Sequence, residues 1–265
     1  MSRFLLVLLL GVGLSATVAQ ADEIRDFEWE ETLQPRIVEE EMAQRIRRAP
    51  HEPESFQLRV HIAMLGYVSW RLETEDAARR MQLAELVVRY ARQAVELKPD
   101  HAAGHHWVGV GLAMAGVSKG IMNSLQLVPA VRQAFETSAE LDPTYLFASA
   151  YTQLGRMYAV LPGFPVSIGS RRQALDYLAR ARELAPDESL PLLYLADLYW
   201  QSKKPELALE AIEELLTMEP DNPYQFFSHT MSSRKALEMR ELIESGQSRD
   251  LRYDVTTDFR VGLVD

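Results

Sequence analysis

The stretch from Leu190 to Pro220, LPLLYLADLYWQSKKPELALEAIEELLTMEP, reads as two amphipathic helices joined by a turn at Ser202–Pro205 and closed by a proline. Leu192, Leu195, Ala196 and Tyr199 recur at helical spacing in the first helix, and Ala208, Ile212 and Leu215 do so in the second. Large residues face small ones at Ala196 and Ala208, which lets two helices approach closely and interlock. Nothing in the stretch carries reaction chemistry.

The closing signal recurs along the chain. ELKPD ends at Asp100, ELDPT at Thr144, ELAPD at Asp187 and TMEPD at Asp221, each an acidic-apolar helix end followed by proline. The prolines Pro99, Pro143, Pro186 and Pro220 are spaced by 44, 43 and 34 residues. Leu65-Gly66, Val108-Gly109, Leu154-Gly155 and Leu195-Ala196 hold one slot in four first helices, so the extra residues of the early repeats fall between first and second helix. The large-small-x-x-Tyr pattern, the terminal proline and the last interval resemble the tetratricopeptide repeat. The expected fold is therefore all-α, a short right-handed superhelix of four helical-hairpin repeats over residues 54–221.

In the first repeat the excess lengthens the helices, Glu54 to Leu72 and Glu75 to Leu97. In the second it is an insertion from Gly116 to Pro129 that includes Lys119 and Asn123. In the third it is the loop LPGFPVSIGS, Leu161 to Ser170, which holds Phe164; Ser170 is a good N-cap for a helix starting Arg171-Arg172. Insertions at the same place in successive repeats are expected on one edge of the stack, where loops tend to carry function. Residues 22–53 form an N-terminal capping segment in which Val38, Met42 and Ile46 predict a short helix. Residues 222–265 supply a polar capping helix, Tyr224 to Glu244, and an extended tail from Leu251 that packs on the stack, pairs with a partner, or stays mobile.

The formal charge is −10, with no basic cluster to offset it, which argues against nucleic-acid binding. Residues 1–21 read as a secretory signal peptide, with Arg3 ahead of the apolar run Phe4 to Leu14 and an Ala19-Gln20-Ala21 site, cleaved after Ala21. With no cysteine in the chain, neither a lipoprotein anchor nor disulfides are available. The expected location is the periplasm.

Residues 99 to 200 carry Lys119-Gly120 with Leu125 and Pro129, LDPTY at Leu141 to Tyr145, LGRMY at Leu154 to Tyr158, LPG at Leu161 to Gly163, and IGSRRQAL at Ile168 to Leu175. This progression resembles the T-component family of periplasmic TRAP-type transporters. The same skeleton also resembles the helical-repeat family of regulators of microtubule dynamics. The first resemblance implies a periplasmic, often homo-oligomeric repeat protein that assists a solute-binding protein with a small apolar ligand. Two departures weaken it: that family is typically lipid-anchored, and its second loop glycine is Ser170 here.

His101 and His105 have a usable metal spacing, but His105 occupies a packing slot and no carboxylate lies nearby. No serine sits in a nucleophile elbow, and the loop Gly163 to Gly169 lacks the Lys-Ser/Thr ending of a phosphate loop. No enzyme, metal or cofactor is expected. By repeat register, first helices should line a concave groove with Tyr67, Trp70, Arg71, His106, Val110, Thr152, Arg156, Asp197 and Trp200. Such a groove suits a protein partner or an apolar ligand. The competing expectation is that the N-terminal segment or the tail caps Trp70 and Trp200.

Overall fold

The computed structural model describes residues 35–73, 76–221 and 223–249. The expected signal peptide, residues 22–34 of the capping segment and the tail from Leu251 lie outside these described residues. Ten α-helices follow in order: α1 Pro35–Arg48, α2 Phe56–Leu72, α3 Ala77–Leu97, α4 Ala102–Lys119, α5 Val128–Leu141, α6 Tyr145–Val160, α7 Arg171–Leu184, α8 Leu190–Gln201, α9 Pro205–Leu216 and α10 Pro223–Glu244. A 3-10 helix, Ile121–Leu127, joins α4 to α5. The fold is all-α.

The helices pack sequentially in hairpins, α2 on α3, α4 on α5, α6 on α7 and α8 on α9. First helices also touch one another in order, α2 to α4 to α6 to α8, and α10 continues the row beyond α8. The small-residue slot explains the close pairing. A Cβ on Gly155 would stand 2.6 Å from Leu178 Cγ, and one on Gly109 would meet the Phe135 ring at 2.8 Å. Each first helix thus rests directly on its own second helix. Leu154, Leu178, Leu192 and Ile212 are less than 2% exposed, each contributing about 1.5–3 kcal/mol of apolar burial.

Helix ends follow local chemistry. Asp76 Oδ1 accepts from the Ala78 and Arg79 amides at 2.9 Å, and Ser170 Oγ accepts from Gln173 N as its position foretold. At the other end, α1 lies on α2, and Arg59 ties the turn between them by donating to the Glu52 and Ala49 carbonyls. Helix α4 runs past Gly116 to Lys119, so the second insertion is shorter than its sequence suggests and is itself helical. A second departure opens α6. Leu146, Phe147 and Ala148 have φ of 48°, 56° and 56°, a left-handed turn that costs about 1–2 kcal/mol per residue. Leu146 and Ala148 are buried within this turn.

Candidate functional site

The first-helix wall is more closed than its register suggests. Tyr67 and Arg71 are half-buried at one end, the guanidinium 5.8 Å from the Tyr67 ring centroid. Trp70 is buried in the core, with Arg80 4.0 Å over its ring and its indole N–H donating to Ser118 Oγ. Glu39 of α1 braces the same corner, accepting from Ser69 and pairing with Arg79 at 2.7 Å.

His106 and Thr152, expected on the groove, belong to the interior at 1% exposure each, and Val110 is buried beside them. The rings of Trp107, Phe135 and Tyr145 stand 5.4–5.6 Å from the His106 imidazole. Burial pushes its pKa down to about 3, so the ring is neutral. Tyr145 reaches this cluster from the first residue of α6, and its hydroxyl accepts from the Trp107 indole at 3.2 Å. The next repeat closes over the face that register alone leaves open.

The far end of the wall is polar and covered. Asp197 is fully buried, accepting from Arg156 Nη1 at 2.7 Å and Gln201 Nε2 at 2.8 Å. Its other oxygen accepts from Arg249 Nε at 2.6 Å. Trp200 donates its indole N–H to the Gln247 carbonyl at 3.3 Å. Residues after α10 therefore lie across α8, reversed at Gly246 with φ 74°. Arg249 and Gln247 were missed in the sequence; the helix-ending Gly246 is the one signal that the chain turns back there.

The insertions behave differently. Gly169 N donates to Pro162 O at 2.8 Å and Ser170 N to Tyr158 O at 2.9 Å, pinning the third-repeat loop to the end of α6. A Cβ on Gly169 would lie 1.9 Å from Leu161 O, so the loop needs glycine there. On this frame Phe164 is 92% exposed and Val166 54% exposed. Arg171 and Arg172 are exposed at the start of α7, and Lys119 is exposed at the end of α4. The Asn123 side chain lies outside the described residues. Between α3, α4 and the 3-10 helix is an open depression of about 530 Å³. Met81, Val88, Leu112, Ala115 and Leu127 supply its apolar lining, and Arg89, Arg92, Lys119, Glu85 and Glu96 its charges.

His101 and His105 are each engaged locally, His101 Nδ1 accepting from Ala103 N and His105 Nε2 pairing with Pro99 O. Among the described residues no group of three metal-ligating side chains is gathered, and no helix is long and apolar enough to cross a membrane.

Comparison with known proteins agrees with this architecture. The family described as regulator of microtubule dynamics protein 1-3 matches residues 20–241. Regulator of microtubule dynamics protein 1 of Rattus norvegicus is 28% identical over 149 residues, covering 51% of this chain and 47% of that protein. Its Mus musculus counterpart is 26% identical over 167 residues, 54% of each. The chain thus spans about half the length of the curated relatives it matches. These matches give no support to the transporter T-component resemblance. The chain belongs to the family of regulators of microtubule dynamics, TPR-like helical-repeat proteins.

Proposed function

We propose that this protein is a non-catalytic helical-repeat scaffold that binds a protein partner at the insertion edge and at the polar end of its first-helix wall. The exposure of Phe164 carries the reading. An aromatic side chain 92% exposed on a hydrogen-bonded loop contributes nothing to the core. Aromatic anchors of this kind supply much of the binding energy at protein interfaces. The exported, periplasmic location read from residues 1–21 belongs to the same proposal, as does a solute-binding protein as one candidate partner. The microtubule role in the relatives' name is not extended to this chain, which spans about half their length.

The test is co-purification from native cells of the wild type and of Phe164→Ser with Val166→Ser. The reading expects a partner that the wild type retains and the variant loses at unchanged helical content and Tm. Equal recovery by both proteins would reject it.

A second reading is that a small amphipathic ligand occupies the α3–α4 depression, whose apolar lining and rim of three basic side chains against two carboxylates suit an apolar body with a polar or acidic head. Native mass spectrometry of gently purified protein tests it. A bound small mass lost in Leu112→Glu supports it, and a bare chain contradicts it.

A further inference from the structure

The residues that close the end of the wall have the character of a bound peptide. Gln247 and Ser248 are exposed and polar, so this segment buries little apolar surface. Gln247 N donates to Leu242 O of α10 at 3.0 Å, and two of the segment's bonds reach α8: the Gln247 carbonyl on the Trp200 indole, and Arg249 on Asp197. One is a backbone group that any sequence supplies. The other is specific, because the Asp197 Oδ1 that meets Arg249 sits at the bottom of a fully buried site.

Arg156 and Gln201 both bond Oδ2, while Oδ1 takes Arg249 Nε. The carboxylate therefore presents one oxygen to the stack and one to whatever lies across α8. A guanidinium fits this oxygen better than an ammonium, because it also bridges to Oδ2 through Nη2 at 3.2 Å. Arg156 is fixed by its own contacts, with its guanidinium 5.2 Å from the Tyr194 ring centroid.

We propose that the end of the wall formed by Arg156, Tyr194, Asp197 and Trp200 is a docking site for an extended, arginine-bearing segment of a partner protein, filled in the isolated chain by residues 247–249. This deepens the scaffold reading by naming the chemistry of the partner segment, and it rests on that reading. The site recognises an arginine side chain together with the backbone carbonyl two residues before it. The tethered segment competes at a high effective concentration, so it regulates access without a separate inhibitor. A partner gains the site when its own segment offers additional contacts along the wall.

The test is fluorescence anisotropy with a labelled, capped peptide of the sequence ESGQSR, residues Glu244 to Arg249, added to full-length protein. Arg249→Ala should bind it about tenfold or more tightly than wild type, because the competing side chain is gone. The same peptide with its arginine replaced by glutamine should lose that binding, a control that needs no further change to the protein. Asp197→Asn added to Arg249→Ala should also abolish binding, with helical content checked by circular dichroism. If Arg249→Ala binds the peptide no better than wild type, or binds the glutamine peptide equally, the segment is a structural clasp only and the proposal is overturned. That result would leave the Phe164 reading standing, since the peptide assay does not involve that loop.

Discussion

Arg249 Nε donates to Asp197 Oδ1 at 2.6 Å across 52 positions of sequence, joining the chain after the last helix to the core of the fourth hairpin. Asp197 is fully buried between this arginine and Arg156, whose side chains are 11% and 12% exposed. Removing the carboxylate leaves two guanidinium groups in a confined space. Asp197→Ala should therefore cost about 3–5 kcal/mol, the penalty of breaking a buried pair from the shared side. Arg249→Ala should cost clearly less, since Arg156 and Gln201 still satisfy Asp197. Urea unfolding of both variants ranks the losses, and equal losses would contradict this account.

Two helical glycines should respond to alanine with opposite signs. A Cβ on Gly155 would meet Leu178 at 2.6 Å, so Gly155→Ala should destabilise by about 1–3 kcal/mol through overpacking. Around Gly116 the nearest atom to such a Cβ is Ser124 Oγ at 3.5 Å. There Gly116→Ala should stabilise by about 0.5–1 kcal/mol through helix propensity and a stiffer unfolded chain. Thermal melts of the pair decide it.

Glu188 connects α10 to the turn before α8 and should make stability fall as pH rises. It is buried, accepting from Ser228 Oγ and from Leu190 N at 3.3 Å, and burial pushes its pKa up to about 7. The folded protein thus holds the proton more tightly than the unfolded chain. The advantage is full below pH 4.5 and is lost as pH rises towards 7. Glu188→Gln should flatten this slope and, at pH 8, exceed wild type by about 2–3 kcal/mol. A variant with an unchanged pH slope would show that Glu188 does not titrate this way.

His106 has the opposite sign. Its pKa is lowered to about 3 by burial among aromatic rings, so the folded state excludes the proton that the unfolded chain takes up below 6.5. The contribution is complete above pH 6.5 and is lost as pH falls towards 3. His106→Phe should remove that acid loss, worth about 3 kcal/mol at pH 4. Denaturation midpoints at pH 4 and pH 7 supply the comparison.

The hairpins were legible because their determinants are local: the small residue at Gly66, Gly109, Gly155 and Ala196, the recurrent proline stops, and the Ser170 cap. The wall was less legible because exposure of a first-helix face depends on what the next repeat and the chain end place over it. His106 is enclosed by Tyr145 and Phe135, which lie 39 and 29 positions away. Its repeat register shows none of this. Arg249 and Gln247 lie 52 and 47 positions from their partners in a segment without periodicity, so no local pattern links them to Asp197 and Trp200. Phe164 was found as part of a long insertion, since loop length is itself visible in the spacing of the prolines.

The most direct test of the scaffold account is photo-crosslinking in native cells from a reactive residue placed at position 164. The control is the same residue at Gln82, an exposed position on α3. The account predicts a discrete protein adduct from position 164 and none from position 82. No adduct at 164, or the same adducts from both positions, would contradict it.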